Sequence, residues 1–161
     1  EPVCLCPGAE YGPAKRWPVE YFSELATLLA GEGHAVWIIG SEKETALGDA
    51  IHHASSGTAV NLCGKTSLDD AAILLSAATT VVANDSGLMH LAAAVDRPLI
   101  ALYGSSSPSF TPPLSSRARI LRLGLACSPC FQRVCPLTHF DCMIKLVPTR
   151  VFEEVRRLSV S

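Results

Sequence analysis

Residues 81–94 read VVANDSGLMHLAAA, and the change of composition within this stretch indicates the fold class. An apolar run is followed by four residues, Asn84 to Gly87, that suit a turn, and then by an alanine-rich segment that contains His90. This order is typical of a buried strand that passes directly into a helix. We therefore expect the turn to lie at the carboxyl end of a parallel strand, where open α/β sheets bind their ligands.

Further short apolar runs along the chain resemble strands, and helix-like segments separate most of them. The six predicted strands are residues 3–6, 35–39, 59–62, 80–83, 99–103 and 118–123. Alternation of strands and helices predicts an α/β fold with a doubly wound parallel sheet.

Prolines and helix-capping residues set the expected limits of the helices and loops. Pro18 predicts a helix to about Ala30, and Ser67 with Asp70 resembles a capping box that opens a helix to about Ala78. Pro148 precedes a terminal helix with one apolar face. Residues 104–116, rich in serine and proline, are expected to form a surface loop, and residues 124–147 to be irregular.

Composition limits the class of protein. The 161 residues suit one domain, and 48% are hydrophobic, but no apolar stretch is long enough for a membrane span. The net charge of −2, without a basic stripe, argues against a nucleic-acid partner. Because the sequence starts at Glu1 with a strand-like run, we expect residues 1–161 to be a single domain cut from a longer protein.

The seven cysteines fall into two groups. Three lie in or next to apolar strand runs, which favours a reducing compartment. The others and one histidine are Cys127, Cys130, Cys135, His139 and Cys142. The spacing leaves two interpretations open, a zinc site or reduced thiols in a loop, because the second pair is not a regular C-x-x-C. We do not expect this cluster to be the active site.

Several familiar motifs are incomplete. The stretch LCGKTS lacks the first glycine of a phosphate-binding P-loop, since Ala59 stands there. GEGHAV has Val36 where a dinucleotide fingerprint needs glycine or alanine, and Ser86 lacks the flanking glycines of a hydrolase nucleophile. No Asp-x-Asp triplet occurs, so the chain lacks the carboxylate pair with which many sugar transferases hold a divalent ion beside a diphosphate. These absences disfavour P-loop enzymes, dinucleotide binding at that site and acyl transfer.

The turn after the fourth predicted strand suits an anion. The backbone N–H groups of Ser86, Gly87 and Leu88 would open a helix, and a phosphate would fit there. The same residues could instead only cap the helix. Asp85 beside a phosphate indicates a ligand with hydroxyl groups, such as a sugar, and His90 lies one turn beyond Ser86 on the same helical face.

Two more turns are expected at the same edge of the sheet. CPGAEYGPAKRWP, residues 6–18, carries Lys15, whose charge could neutralise a diphosphate or could simply face solvent. Glu42 follows the second predicted strand, where an acid binds ribose hydroxyls or favours a helix start. We expect the three turns to form a single anion pocket.

Three stretches resemble the carboxyl-terminal half of the ADP-heptose:lipopolysaccharide heptosyltransferases, most closely those of type II. They are PGAEYGPAKRWP at 7–18, the long stretch from LCGKTS to PPLS at 62–115, and PTRVFEEV at 148–155. The resemblance implies one Rossmann-like half of a GT-B glycosyltransferase, which binds the donor ADP-heptose. By position, the implied donor contacts are Lys15, Glu42, Thr66, Asp85, Ser86, Gly87, Leu88 and His90.

The resemblance also implies a reaction and its partners. Lys15 and Asp85 would stabilise the transition state and the departing diphosphate in an inverting transfer of heptose to the lipopolysaccharide inner core. The amino-terminal half of the family's enzymes binds the acceptor and supplies the base, so this chain alone is expected to be inactive. The implied location is the cytoplasm, at the inner face of the inner membrane, and assistance by a divalent cation is left open. A stand-alone nucleotide-binding or metal-binding module without transferase activity is the alternative.

Overall fold

A computed structural model describes residues 1–160, and its sheet confirms the predicted α/β architecture. Six strands lie in the order β3-β2-β1-β4-β5-β6, and every neighbouring pair is parallel. They are β1 (Pro2–Cys6), β2 (Ala35–Ile38), β3 (Ala59–Asn61), β4 (Thr80–Asn84), β5 (Leu99–Leu102) and β6 (Ala118–Leu121). Each predicted strand is present, with its ends shifted by a residue or two.

Six α-helices connect and follow the strands. They are α1 (Val19–Gly31), α2 (Thr45–Ala54), α3 (Leu68–Ser76), α4 (Gly87–Ala94), α5 (Asp141–Ile144) and α6 (Pro148–Val160). The predicted capping box at α3 is confirmed, because Ser67 Oγ accepts from the Asp70 N–H at 3.1 Å and Asp70 Oδ2 accepts from the Ser67 N–H at 3.1 Å.

Two apolar layers cover the sheet, one on each face. Alternate strand residues such as Val3 and Leu5 pack against α1, α2 and α6, while Cys4 and Cys6 pack against α3 and α4. Because successive side chains in a strand point to opposite faces, a sheet buried on both sides requires such nearly continuous apolar runs. Within residues 1–160, no helix is long and apolar enough to cross a bilayer.

The loops after β5 and β6 differ in part from the expectation. Residues 104–116 lack regular structure, as predicted, but residues 104–107 are buried rather than on the surface. The reason is that the following segment packs over them, with the Phe131 N–H donating to Ser105 O at 2.7 Å. Within residues 124–147, the single turn of α5 was not predicted.

The sheet order places a topological switch point between β1 and β4. From β1 the chain continues to β2 and β3 on one side, and from β4 to β5 and β6 on the other. A crevice therefore opens above the carboxyl ends of β1 and β4, bounded by the turns that follow the strands.

Candidate functional site

A pocket of about 580 Å³ occupies this crevice and is called the crevice pocket here. Its walls come from the segments that follow β1, β2, β3 and β4, and include Arg16, Glu44, Thr66, Ser86, Gly87 and Leu88. The expected convergence of the turns after β1, β2 and β4 is thus present in the structure.

The amino terminus of α4 forms one wall of the crevice pocket. Ser86 occupies the N-cap position, yet its side chain makes no capping hydrogen bond, and Ser86 Oγ is buried without a partner. A Cβ added to Gly87 would meet no atom within 4 Å, so the space in front of the helix is open. The free N–H groups and the positive end of the helix dipole together suit an anion.

Arg16 brings a second positive group to the crevice pocket. Its Nη2 donates to Ala9 O at 3.3 Å, while Nε is buried and has no hydrogen-bond partner. The sequence places Arg16 at this edge of the sheet with Lys15, but we expected only Lys15 to meet the phosphates, because spacing alone does not show which of two adjacent cations faces the crevice. An anion at the start of α4 would meet both the helix and this guanidinium.

Lys15 faces a different pocket. Its Nζ lies 2.9 Å from Asp85 Oδ2, and the same carboxylate oxygen accepts from Thr111 Oγ1 at 2.9 Å. The Lys15 side chain is 18% exposed and that of Asp85 only 4%. The ion pair therefore joins the turns after β1 and β4 to the loop after β5.

This second pocket, of about 350 Å³, is called the aromatic pocket here. It is lined by Tyr11, Lys15, Ser105, Ser106, Phe110, Thr111 and Phe131. The hydroxyls of Ser105 and Ser106 are buried without partners, and the rings of Phe110 and Phe131 meet edge to face at 5.2 Å. Unpaired hydroxyls beside aromatic rings suit a ligand that is polar at its edges and apolar on its faces, as a sugar is.

Tyr103 supports the aromatic pocket from below. Its hydroxyl donates to Thr111 O and lies 3.4 Å from Met89 Sδ. Burial, with a smaller contribution from the charge of Asp85, raises the pKa of Tyr103 above its ordinary value. Tyr103 therefore stays a protonated donor that fixes the position of Thr111.

Asn84 positions the turn that carries both cations. It is fully buried at the end of β4, where Oδ1 accepts from the Trp17 N–H at 3.1 Å and Nδ2 donates to Pro7 O at 2.8 Å. One side chain thus holds both ends of the turn after β1. Trp17, which is 1% exposed, anchors the turn further by donating from Nε1 to Leu146 O at 2.7 Å.

Three other predicted site residues lie in different settings. Thr66 lines the crevice pocket, whereas His90 is exposed on α4. Glu42 is exposed in a 3-10 turn (Glu42–Glu44), and Glu44 of the same turn contributes to the pocket wall. The roles of Glu42 and His90 in donor binding therefore stay predictions.

Glu44 is a pocket residue that sequence reasoning did not single out. Its Oε2 accepts from the Ser41 N–H at 2.5 Å and from the Ser41 hydroxyl. A Cβ added to Gly8 would lie 2.1 Å from Glu44 Oε1, so a larger residue at position 8 would displace this carboxylate. The capping-box pattern S-x-x-E from Ser41 to Glu44 was the available signal.

Comparison with known proteins identifies relatives over nearly the whole chain. Residues 1–141 match glycosyltransferase family 9 (heptosyltransferase). Lipopolysaccharide heptosyltransferase 2 of Salmonella typhimurium is 46% identical over 160 residues, which cover 97% of this chain and 46% of that protein. The chain therefore spans about half the length of the curated relatives it matches.

Solved structures agree with this resemblance. E. coli ADP-heptose lps heptosyltransferase II superposes with a TM-score of 0.84 at 44% identity, covering 98% of this chain and 46% of that chain. E. coli heptosyltransferase WaaC with ADP-2-deoxy-2-fluoro heptose gives a TM-score of 0.76 at 25% identity, covering 98% of this chain and 43% of that chain. The second relative was thus solved with an ADP-sugar bound.

Proposed function

This chain belongs to glycosyltransferase family 9, the heptosyltransferases, and we propose that it is the ADP-heptose-binding half of an enzyme that extends the lipopolysaccharide inner core. It resembles the type II enzymes, as the sequence motifs predicted. The single domain of residues 1–161 would bind the donor, and an amino-terminal half would bind the acceptor.

One observation carries this proposal above the others. Ser86 Oγ, the open face of Gly87 and the Arg16 guanidinium meet at one pocket wall, and neither Ser86 Oγ nor Arg16 Nε has a hydrogen-bond partner. Buried polar groups without partners are costly unless a ligand satisfies them. A diphosphate fits, because it supplies several charged acceptor oxygens to N–H donors.

The donor is proposed to extend across both pockets. Adenosine occupies the crevice pocket near Thr66, and the diphosphate lies at the start of α4 beside Arg16. The heptose reaches the aromatic pocket, where Ser105 and Ser106 donate to its hydroxyls. Support comes from the chain itself, since Lys15 and Arg16 are adjacent and line different pockets.

The proposed reaction is a direct displacement. An acceptor hydroxyl attacks the anomeric carbon, its new C–O bond forms on the face opposite the diphosphate, and the old C–O bond to phosphate breaks with its electron pair. The hydroxyl proton passes to a base in the other half of the enzyme. Charge grows on ADP, so the α4 N–H groups, Arg16 and Lys15 lower the barrier by preorganised electrostatics. Asp85 keeps Lys15 in place.

Ligand titration tests the binding claim. We expect calorimetry to show that ADP binds this chain more tightly than adenosine does, because only ADP reaches the start of α4. Arg16→Met should weaken ADP binding by about tenfold or more, the effect of a lost charged hydrogen bond, and leave adenosine binding unchanged. Arg119→Met, an exposed cation on β6, is the matched control. Equal affinity for ADP and adenosine would contradict the proposal.

Transfer assays and two further variants address the alternative module. Heptose transfer by this chain alone should be undetectable, with or without Mg²⁺, because the base belongs to the other half. ADP-heptose should bind more tightly than ADP, and Lys15→Ala and Asp85→Ala should remove that difference. Binding that is indifferent to the sugar and to both substitutions would favour a stand-alone nucleotide module. In the full enzyme, binding of the lipopolysaccharide acceptor is proposed to bring this half to the cytoplasmic face of the inner membrane.

A further inference from the structure

Four cysteines of the irregular segment gather at one small cavity. They are Cys127, Cys130, Cys135 and Cys142, spaced C-x2-C-x4-C-x6-C, and none forms a disulfide. Together with His139 they line a cavity of about 20 Å³. A space of this size admits a single water or ion. The remaining three cysteines of the chain are buried in the core layers, away from this cavity.

Loop contacts, and not regular secondary structure, hold the segment that carries the four cysteines. Between β6 and α5 the chain forms no regular element, and Phe131, Thr138 and Phe140 all have positive φ values although none is glycine. Such conformations cost of order 1–3 kcal/mol each and persist only where the surroundings impose them. Long segments without regular structure are uncommon in compact domains, and when ordered they usually have a function.

Contacts with the loop after β5 bring the cysteines from the two ends of the segment together. Ser128 Oγ donates to Gly104 O, and a Cβ added at Gly104 would lie 2.8 Å from Cys142 Sγ. All four thiols therefore face the same small cavity.

His139 is engaged elsewhere. Its Nδ1 accepts from the Asp141 N–H at 3.0 Å and lies 3.7 Å from Asp141 Oδ1. This hydrogen bond occupies one ring nitrogen within the local turn. The four sulfurs remain as the ligand set of a tetrahedral site.

We propose that the four cysteines bind one zinc or iron ion as a structural tetrathiolate site. Tetrahedral sulfur coordination selects these two metals. In residues 1–160, no three histidine, cysteine, aspartate or glutamate side chains are already arranged around an ion position. Binding therefore draws the sulfurs into the cavity and releases the thiol protons to solvent.

The proposed ion supports the donor site without touching it. Arg133, which lies between the ligands, accepts from the Ala14 N–H through its backbone oxygen at 3.0 Å. Its Nη1 donates to Tyr11 O at 3.0 Å. A Cβ at Gly12 would lie 2.7 Å from Arg133 O, so the two segments pack without a gap. Ordering the cysteine segment thus orders the turn that carries Lys15 and Arg16.

Elemental analysis tests this proposal on the protein purified without chelators and without a nickel column. We expect about one zinc or iron ion per chain, the stoichiometry of a tetrathiolate site. Cys130→Ser and Cys142→Ser should each lose the ion, whereas the controls Cys4→Ala and His139→Ala should retain it. Loss of the ion in His139→Ala but not in Cys142→Ser would overturn the four-sulfur assignment.

Thiol titration of the unmodified chain gives an answer even where a variant fails to fold. The four cysteines should react slowly with a thiol reagent, and a strong chelator should make them reactive and weaken ADP binding. Metal content near zero, with prompt reaction of the four thiols before chelation or with two disulfides in their place, would overturn the proposal. ADP binding that persists unchanged in a metal-free chain would overturn the claim that the ion supports the donor site, and the proposed donor site itself would be unaffected.

Discussion

Lys15 Nζ and Asp85 Oδ2 lie 2.9 Å apart although 70 positions separate the two residues in the chain. Thr111 completes the carboxylate's contacts from the loop after β5. The pair thus links three of the turns that bound the proposed donor site. It also separates the roles of neighbouring cations, since Lys15 lines the aromatic pocket and Arg16 the crevice pocket.

Removing Lys15 should destabilise the fold as well as the site. In Lys15→Met, the buried carboxylate of Asp85 keeps only Thr111, and breaking a buried pair costs about 3 kcal/mol. Urea unfolding measures the change. Lys43→Met, which breaks the exposed pair with Glu10, should leave the unfolding free energy unaltered. An equal effect of both substitutions would contradict the burial argument.

Asn84 should act on binding through the turn that it holds. Asn84→Leu leaves the Trp17 N–H and Pro7 O without partners, which costs about 1–3 kcal/mol for each buried group. We expect lower stability together with weaker ADP binding at temperatures where the variant is folded. Unchanged ADP affinity in the folded variant would show that the turn keeps its position without Asn84.

Alanine substitution of two serines at helix starts should have different effects, one on stability and the other on ADP binding. Ser67 caps α3 with a hydrogen bond to the Asp70 N–H, so Ser67→Ala should lower the unfolding free energy by about 1 kcal/mol. Ser86 makes no such bond, so Ser86→Ala should change stability by less than about 0.5 kcal/mol and should weaken ADP binding. A normal capping loss in Ser86→Ala would indicate that Ser86 only caps α4.

Gly87 tests how closely the ligand approaches the helix. An added methyl group meets no protein atom, and alanine favours helix over glycine by up to about 1 kcal/mol. Gly87→Ala should therefore fold at least as well as the parent chain. Its methyl group would stand where the diphosphate is proposed, so we expect reduced affinity for ADP and unchanged affinity for adenosine. Parent-like ADP affinity would place the anion elsewhere.

Much of the fold was predictable because a sheet buried on both faces requires nearly continuous apolar strands, which are easy to recognise in the sequence. The runs at β1, β4 and β5 are almost wholly apolar, and Ser67 and Pro18 mark helix starts by local chemistry. Convergence of the turns after β1, β2 and β4 followed from parallel topology alone, since it needs no side-chain detail. The relatives then confirmed the family that the polar motifs indicated.

The parts that sequence reasoning missed depend on side-chain direction and long-range packing. Nothing local distinguishes Arg16 from Lys15, or Glu44 from Glu42, before the backbone path is known. Ser105 and Ser106 suggested an exposed loop because serine is usually at the surface, yet the segment that carries Phe131 covers them. Their burial results from a contact between residues distant in the chain.

Amide chemical-shift mapping with ADP tests the central claim most directly, and it works for weak binding. We expect the resonances of the Gly87 and Leu88 backbone amides and of the Arg16 side-chain Nε–H to shift most as ADP is added, while those of the β6 amides do not shift. Saturable ADP binding whose largest shifts avoid the start of α4 would contradict it.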